Sequence, residues 1–290
     1  MEQQVGLIGF GEAASTFALA GDWAASAHVF DIQTDGARTR EAMLAAYAAA
    51  GVISAASLAG AIGNAPLILS LVTADQAQAV AQEAARSMPS GALYCDLNSV
   101  APQTKAAAAK AIEAAGGHYV DVAVMAPVDP ARLAVPLLLS GARAEEAEAR
   151  LRALGFTKTR VVATDVGRAS SIKMIRSVMV KGIEALTAEC LLAAQAANVL
   201  DEVLASLDAS ETLRPWRARA DYNLDRMLAH GTRRAAEMEE VVKTLEGLGI
   251  GADMTRGTVT RQRTAGALGA KAPPEGLAGK LTIFSDPTIF

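Results

Sequence analysis

VGLIGFGEAA, residues 5–14, is the stretch that decides the fold of the N-terminal half of the chain. An apolar strand runs into Gly9, Phe10 and Gly11, and a helix-forming sequence follows directly. In such a strand–turn–helix unit, Gly9 permits the tight turn, Gly11 lets the backbone approach a pyrophosphate, and Ala14 is small enough for the helix to pack on the sheet. Because the first N–H groups of a helix attract anions, the stretch predicts a dinucleotide-binding site.

Asp31, at the end of the second predicted strand, supports this site. It lies 20 residues after the second glycine of the motif, where a carboxylate binds the hydroxyls of an adenosine ribose. Its charge repels a 2′-phosphate, and Ile32 and Gln33 offer no compensating cation. Arg38 and Arg40 follow a turn later. We therefore expect NAD as the cofactor, with NADP not excluded.

The composition excludes several other classes of protein. The 290 residues are 51% hydrophobic and 20% charged, as in ordinary globular proteins, and suffice for two domains. The net charge of −4 comes without a basic stripe, so no nucleic acid is expected as a partner. Cys95 and Cys190 lack the spacing of a disulfide framework or a zinc site, and we expect no metal. We predict neither a signal peptide nor a membrane-spanning segment, and the expected location is the cytoplasm.

The first half of the chain alternates short apolar runs with helical patterns, which is typical of βαβ units and a mostly parallel sheet. The fold class is therefore α/β, and residues 1–166 are expected to form a Rossmann domain with a doubly wound, mostly parallel sheet. The predicted strands lie near residues 5–8, 28–31, 67–71, 92–96, 118–121, 135–140 and 160–163.

The second half of the chain is helical in pattern. One long helix is predicted over residues 168–197, a break over 206–215, and a further helical segment up to Gly249. The tail, rich in proline and glycine, is expected to be irregular. Residues 167–290 are therefore expected to form an all-α C-terminal domain that the long helix joins to the first.

Polar residues follow the third and fourth predicted strands at their carboxyl ends, where doubly wound sheets bind ligands. Val72 and Thr73 end the third strand and are expected to line the pocket. Asn98 and Ser99 follow the fourth strand and offer hydrogen bonds to a substrate or a nicotinamide ribose, or alternatively cap the helix that begins near Pro102. The residues expected to contact the cofactor are Gly9, Phe10, Gly11, Glu12, Ala13, Asp31, Val72, Thr73 and Asn98.

The long helix is amphipathic. At about 100° per residue, Lys173 and Ser177 share one face, and the apolar residues point nearly opposite and are expected to be core. Partial desolvation in a cleft lowers the pKa of a lysine, which makes the side chain better able to accept a hydroxyl proton. The simpler alternative is that Lys173 is a solvated lysine on the polar face of the helix. The apolar residues are Ile172, Ile175, Met179, Ile183 and Leu186.

Five motifs occur in order along the chain: GFGEAA, SLVTAD, DLNSVAP, DVAVMAP and GRASSIKMIRS. Together they resemble those of the β-hydroxyacid dehydrogenases typified by 3-hydroxyisobutyrate and 6-phosphogluconate dehydrogenases. The resemblance implies an active site in the cleft between the two domains and dimers or tetramers formed through the helical one. It implies oxidation of a hydroxyl near a carboxylate by hydride transfer to nicotinamide, sometimes with decarboxylation. It further implies that Lys173 is the general acid and base and that Asn98 and Ser99 bind the substrate or the nicotinamide ribose.

One departure from the family pattern concerns the substrate pocket. The family's DAPVSGG reads DVAVMAP here, so Met125, Ala126 and Pro127 stand where a serine and two glycines hold the substrate carboxylate. Proline lacks a backbone N–H, and methionine is apolar and flexible. We expect a pocket that is more apolar than one suited to a small hydroxyacid.

A second departure lies in the turn after Lys173, where the family has asparagine and this chain has Arg176 and Ser177. Ser177 is expected to take over the hydrogen bond of that asparagine. Arg176 either meets an anionic group of the substrate or is a surface arginine. The expected catalytic residues are Lys173, Ser177 and Asn98.

HGTRR, residues 230–234, lies roughly where family members present a lysine to the cleft. Its cationic side chains have near-helical spacing and are suited to a carboxylate or phosphate. The alternative is a solvated face on which Arg233 pairs with Glu237. Gly231 within a helix indicates close approach by another group. The expected substrate-binding residues are Ser99, Met125, Ala126, Arg176, His230, Arg233 and Arg234.

The sequence thus favours an NAD(P)-dependent dehydrogenase or reductase that acts on a hydroxyl or keto carbon of a β-hydroxyacid-like substrate. One alternative is an imine reductase on the same fold, against which the lysine argues mildly. Another is a non-catalytic NAD-binding protein in which the altered DVAVMAP loop marks a lost substrate site. The expected partners are a small-molecule substrate, either a hydroxy or keto acid or a larger relative, and a second copy of the chain in a homodimer.

Overall fold

A computed structural model describes residues 4–210, 215–270 and 272–284, which form a sheet flanked by helices and then a run of helices. The strands of the described chain are β1 (Val5–Ile8), β2 (Ala27–Phe30), β3 (Ile53–Ser54), β4 (Leu67–Ser70), β5 (Leu93–Asp96), β6 (His118–Val124), β7 (Leu137–Ser140) and β8 (Thr159–Ala163). Its helices are α1 (Glu12–Ala20), α2 (Arg40–Ala50), α3 (Leu58–Ile62), α4 (Ala77–Ala84), α5 (Pro102–Ala114), α6 (Ala144–Ala153), α7 (Arg168–Ala196), α8 (Leu200–Ser210), α9 (Trp216–Gly247), α10 (Asp253–Ala267) and α11 (Gly276–Ile283).

The sheet has the strand order β3-β2-β1-β4-β5-β6-β7-β8. All neighbouring strands run parallel except β6 and β7, which are antiparallel. The first six positions reproduce the order of a dinucleotide-binding fold, which reverses direction between β1 and β4. The predicted α/β class and mostly parallel sheet are confirmed, and the reversal places the glycine motif after β1 at the edge where such sheets bind ligands.

Two apolar clusters hold the helices against the sheet, one on each face. The first contains Phe17 of α1 and Tyr47 of α2, and the second contains Ile62 of α3 and Ile112 of α5. Helix residues facing the sheet are often alanine, as at Ala14, which is 1% exposed and lets α1 lie close to the strands. Close helix–sheet packing therefore follows from the alanine-rich composition.

Several predictions about local structure were incomplete or wrong. The strand β3 and the helix α3 were not predicted, because both are too short to show a periodic pattern. The predicted break at 206–215 was wrong for its first residues, because α8 continues to Ser210 and the first proline of this stretch is at position 215. Residues 211–214 lie outside the described chain. The tail is not wholly irregular, since α11 forms where Lys280 pairs with Asp221 of α9 at 2.9 Å.

The chain divides into two compact units between Val178 and Met179, inside α7. The N-terminal unit therefore contains the sheet and the first turns of α7, which carry Lys173. The C-terminal unit contains the rest of α7 and the helices that follow. Among the described residues, no helix combines the length and apolar character needed to cross a bilayer.

The apolar stripe predicted on α7 is largely exposed in the single chain, which contradicts its expected place in the core. Ile172 packs beside Ala169 as expected. In contrast, Ile175 is 72% exposed and Met179 48%, and Ile183 and Leu186 are exposed as well. The sequence pattern identifies an apolar face but does not say whether the chain itself covers it.

Gly231 of α9 is explained by helix packing. A Cβ atom at this position would lie 2.6 Å from the backbone nitrogen of Gly266 in α10, so the two helices touch with almost no side chain between them. Gly266 is equally constrained, since its own Cβ would lie 2.8 Å from the carbonyl carbon of Gly231. The close approach expected from the sequence is that of a neighbouring helix.

We therefore predict that Gly231→Ala destabilises the C-terminal unit by roughly 1–3 kcal/mol, because the added methyl forces α9 and α10 apart. Gly257→Ala in α10 is the matched control, since its Cβ would meet no atom within 4 Å. That substitution should stabilise the helix by about 0.5–1 kcal/mol. Urea unfolding followed by far-ultraviolet circular dichroism measures both, and equal effects at the two glycines would contradict the packing described.

Candidate active site

The loop after β1 is held in an unusual backbone conformation. Gly9 has a φ of 86°, a region that residues with side chains rarely adopt. A Cβ there would lie 2.9 Å from the carbonyl carbon of Leu71 and 3.0 Å from Cγ1 of Val72. The loop therefore crosses directly over the end of β4, and position 9 requires glycine on both conformational and steric grounds.

Asp31 fixes this loop from the end of β2. One carboxylate oxygen accepts a hydrogen bond from the Phe10 N–H at 2.7 Å, and the other accepts one from the Gln33 N–H at 2.9 Å. The side chain is 9% exposed. Sequence reasoning expected Asp31 to bind a ribose and missed this second role, in which its charge orients the glycine loop.

A cavity of about 440 Å³, which we call the glycine-loop cavity, opens beside this loop. Gly11 faces open space, because a Cβ there would meet no atom within 4 Å, and it precedes the first turn of α1 without a side chain to cap it. The space and the exposed N–H groups fit the phosphates of a dinucleotide. The lining residues are Ile8, Gly9, Gly11, Glu12, Ala13, Phe30, Asp31, Ile32, Gln33, Leu58, Leu71, Val72, Thr73, Gln76, Ala79, Val80 and Glu83.

The charged residues among those that line this cavity in the described chain are all acidic: Glu12, Asp31 and Glu83. Arg40 instead directs its guanidinium to the carbonyl of Thr34 at 3.3 Å. A dinucleotide with an additional 2′-phosphate would bring further negative charge into this acidic surrounding. The cavity thus fits the adenosine half of NAD better than that of NADP.

A second cavity of about 390 Å³, which we call the lysine cavity, lies next to the first. The two cavities share four lining residues, so a ligand that follows the N-terminus of α1 would reach from one into the other. The remaining wall is mainly apolar. The lining residues are Glu12, Ala13, Leu71, Val72, Ala74, Leu97, Asn98, Ser99, Val124, Ala126, Pro127, Val128 and Lys173.

Lys173 enters the lysine cavity from α7 and donates a hydrogen bond from its Nζ to the Oγ of Ser99. Both residues belong to the N-terminal unit. The structure thus brings Lys173 together with Asn98 and Ser99, which belong to another motif; Lys173 and Ser99 are 74 residues apart in the sequence. An ammonium beside a hydroxyl at the wall of a cavity is an arrangement that can pass a proton to or from a bound molecule.

Asn98 is buried, and both polar atoms of its side-chain amide form hydrogen bonds within the protein. Its Oδ1 accepts from the Val72 N–H at 2.6 Å, and its Nδ2 donates to the Ser70 Oγ at 3.0 Å. Its own N–H donates to the Asp96 carboxylate at 2.8 Å. Asn98 therefore ties the ends of β4 and β5 together, a role that the sequence analysis did not include.

Thr73 lies at the mouth of the glycine-loop cavity on the turn after β4. Hydrogen bonds from Thr73 and then from Gln76 lower the pKa of the exposed Asp75 carboxyl. The turn thus retains negative charge next to the cavity. Gln76 and Glu83 of the lining had not been predicted, because both lie in the region of α4, which shows no motif.

Other predicted site residues point elsewhere. Ser177 donates its hydroxyl to the Lys173 carbonyl at 2.9 Å within α7, rather than lining either cavity. Met125 packs against Ala123, Leu138 and Ala169, so Ala126 and Pro127 form the wall in its place. The reason is that the chain after β6 turns the Met125 side chain toward the core under α7.

The remaining predicted substrate residues are not tested by these cavities. Arg176 is exposed on α7. His230 and Arg233 are exposed and Arg234 is partly buried, all on α9 in the C-terminal unit. The Glu237 side chain, the alternative partner of Arg233, lies outside the described part of the chain.

Comparison with known proteins places the chain in a family. Residues 4–163 match the family described as the NAD binding domain of 6-phosphogluconate dehydrogenase, and residues 194–265 match a domain of unknown function (DUF1932). A conserved hypothetical protein from Sinorhizobium meliloti 1021 is 39% identical, with 98% of this chain and 96% of that chain covered and a TM-score of 0.62.

Other relatives are more distant. The conserved protein MTH1747, of unknown function and described as structurally similar to 3-hydroxyacid dehydrogenases, is 30% identical over 90% of this chain and 96% of its own, with a TM-score of 0.57. An imine reductase from Pseudomonas sp. shares the fold at 19% identity, with a TM-score of 0.72 over 98% of this chain and 100% of its own.

An uncharacterized 28.5 kDa protein from Methanothermus fervidus is 28% identical over 52% of this chain, and the match spans 56% of that protein. The family match covers more than half of the chain and contains both the glycine loop and the strand ends that line the two cavities. The chain therefore belongs to the NAD-binding oxidoreductase family of 6-phosphogluconate dehydrogenase, within the β-hydroxyacid dehydrogenase superfamily.

Proposed function

We propose that this protein is an NAD-dependent oxidoreductase that interconverts a hydroxyl and a keto group on a β-hydroxyacid-like substrate, with Lys173 as the general acid and base. The observation that carries the proposal is the position of Lys173 in the lysine cavity, hydrogen-bonded to Ser99 and adjacent to the cavity that fits a dinucleotide.

The continuity of the two cavities supports this arrangement. Adenosine in the glycine-loop cavity, with the pyrophosphate at Gly11, directs the nicotinamide toward the lysine cavity. When bound, the nicotinamide supplies the hydride acceptor or donor. Lys173 takes the proton of the substrate hydroxyl as its carbon loses hydride, or returns a proton to the oxygen in the reverse direction. Ser99 orients the Lys173 Nζ for either transfer, as the neutral amine that accepts the proton or as the ammonium that returns it.

The wall of the lysine cavity supports a substrate with an apolar portion. Part of this wall consists of the apolar residues Val124, Ala126, Pro127 and Val128. Among the described residues that line the cavity, the cationic one is Lys173. We therefore infer a hydroxy or keto acid with a larger apolar group than that of a small hydroxyacid.

We predict that Lys173→Ala lowers kcat by at least about 100-fold and leaves NADH binding intact, because the residue moves a proton but does not form the glycine-loop cavity. Lys110→Ala, on the exposed face of α5, is the matched control and should retain activity. Turnover is followed by NADH absorbance across panels of hydroxyacids, ketoacids and imines.

The same panels distinguish the alternatives. Reduction of imines without turnover of any hydroxy or keto acid would replace the proposal with imine reduction. NADH binding without turnover of any compound would favour a non-catalytic NAD-binding protein. Unchanged kcat in Lys173→Ala would remove this residue from the mechanism.

The preference for NAD follows from the acidic lining of the glycine-loop cavity. Ile32 lies just after Asp31 on that lining and is 70% exposed, so a cation placed there would face a 2′-phosphate. The wild-type protein should bind NADH at least about tenfold more tightly than NADPH, a difference of about 1.4 kcal/mol. Ile32→Arg should reverse or abolish that ratio.

Fluorescence titration of both dinucleotides measures this selectivity. Leu19→Arg is the control, since Leu19 is an exposed apolar residue of α1 that lies away from both cavity linings and receives the same charge. A wild-type preference for NADPH, or an equal response of the two variants, would contradict the assigned adenosine site.

We further propose that the exposed apolar face of α7 is covered by a second copy of the chain. Met179 and Leu186 lie on that face, and Leu204 and Leu207 of α8 are exposed as well. Solvent-exposed apolar side chains in such number mark an interface, and the family resemblance implies assembly through the helical domain. The substrate contacts of His230, Arg233 and Arg234 remain predictions.

The native mass of the protein should therefore be twice the 29.9 kDa of one chain in light scattering after size-exclusion chromatography. Met179→Glu should shift the mass toward the monomer, because a buried carboxylate at an interface between two copies is unfavourable. Leu19→Glu, which introduces the same charge on α1, should leave the mass unchanged. A monomeric wild-type protein would contradict this proposal.

A further inference from the structure

Lys105 of α5 is buried under the site, and neither the motifs nor the proposed function uses it. Its side chain has no solvent exposure, and the same holds for Asp96 and Asp121, which surround its ammonium. The Nζ lies 3.0 Å from the Asp96 carboxylate, 2.6 Å from the Asp96 carbonyl and 3.3 Å from the Asp121 carboxylate. These three residues, which we call the buried triad, hold a net negative charge beneath the lysine cavity.

One chain of contacts leads from Lys105 through Asp96 to the site. The Asp96 carboxylate oxygen that accepts the hydrogen bond of the Lys105 ammonium also accepts one from the Asn98 N–H at 2.8 Å. Asn98 is followed directly by Ser99, which accepts the hydrogen bond from Lys173. The second oxygen of Asp96 accepts from the Tyr119 hydroxyl at 2.6 Å, so the carboxylate cannot turn away.

A second chain of contacts leads from Lys105 through Asp121 to the same lysine. The Asp121 carboxylate accepts the N–H of Ser170, in the first turn of α7, at 2.9 Å. It also accepts from the hydroxyl of Ser140 at 3.3 Å, and that hydroxyl accepts the Ala169 N–H at 3.0 Å. Asp121, which belongs to β6, thus caps the N-terminus of α7 and holds the turn that precedes Lys173.

The electrostatics of the triad explain why neither route is independent of Lys105. Two carboxylates this deeply buried repel each other, and the cation between them offsets that repulsion. The positive end of α7 offsets Asp121, whereas Asp96 has neutral hydrogen-bond donors besides the lysine. Burial followed by the charge of Asp96 raises the pKa of the Tyr119 hydroxyl, which therefore stays a neutral donor.

We propose that Lys105 is a positioning residue for the site: through Asp96 it places Asn98 and Ser99, and through Asp121 it places the turn of α7 that carries Lys173. The two routes meet again at the hydrogen bond between Lys173 and Ser99 and form a closed ring. The catalytic consequence rests on the proposed function, whereas the geometric consequence for Lys173 does not.

The test uses the full-length protein and three substitutions. Lys105→Met removes the cation but leaves two facing carboxylates, which can prevent folding. Lys105→Met combined with Asp121→Asn keeps the net charge of the triad, and the new amide oxygen can still accept the Ser170 N–H. The single variant Asp121→Asn shows how much of the effect comes from the second change. Lys110→Met, an exposed position on the same helix, is the control.

The first readout requires no substrate. A limiting amount of an acetylating ester labels surface amines, and peptide mass spectrometry gives the labelling rate of Lys173 relative to that of the exposed Lys158. In the double variant Lys173 should label at least about threefold faster, because its Nζ loses the fixed hydroxyl of Ser99, the acceptor that stabilises the ammonium. An unchanged relative rate in a folded double variant would overturn the proposal.

The second readout is catalytic. In the double variant kcat should fall at least about tenfold, with the Kd for NADH and the KM unchanged, because no residue of the buried triad lines the glycine-loop cavity and the main loss is in the alignment of the proton-transfer group. Lys110→Met should stay close to wild type, and the double variant should lose more kcat than Asp121→Asn alone. A loss of thermal stability with full kcat would reduce Lys105 to a purely structural residue and overturn the proposal.

The two readouts separate the two claims. If the wild-type protein turns over no compound in the panels, the proposed function fails, and the labelling rate still decides whether Lys105 positions Lys173. If the wild-type protein is active and the double variant keeps both its kcat and its relative labelling rate, the positioning role fails while the proposed function stands.

Discussion

Three charges without access to water constrain the architecture around the site. Lys105, Asp96 and Asp121 come from a helix and two neighbouring strands, and none of them tolerates burial without the others. Asp96 and Asp121 are paired in the register of β5 against β6, Lys105 joins both to α5, and Asp121 joins them to the first turn of α7. The hydrogen bond between Lys173 and Ser99 forms on top of this arrangement.

The sequence was sufficient for much of the fold because the relevant signals are local. The glycine loop, the strand ends and the long helix each occupy a contiguous stretch with a characteristic period or spacing. Contacts between such stretches were harder to predict. Lys105 stands in an alanine-rich helix and resembles a solvated lysine, and only the three-dimensional structure shows that two strand-end carboxylates surround it.

The direction in which individual side chains point was the other property that could not be predicted from the sequence. Asp31 was correctly placed at the end of β2, yet its two oxygens bind the amides of Phe10 and Gln33, a contact that no spacing rule specifies. Met125 was expected in the pocket but packs under α7. The apolar face around Ile175 was expected in the core, because periodicity reports that a face is apolar but not which molecule covers it.

The capping of α7 by Asp121 has a consequence for the part of that helix that belongs to the N-terminal unit. Asp121 binds the Ser170 N–H at the first turn, and from there each residue advances the helix by about 100°. The direction of the Lys173 side chain and that of the exposed apolar side chain of Ile175 are therefore both set by this cap. Inserting or deleting one residue between these two positions would leave the cap in place and rotate one side chain by more than a quarter turn relative to the other. The rotation of the helix about its axis is thus set by a local contact at the edge of the sheet, and the side chains that follow in the N-terminal unit take their directions from it.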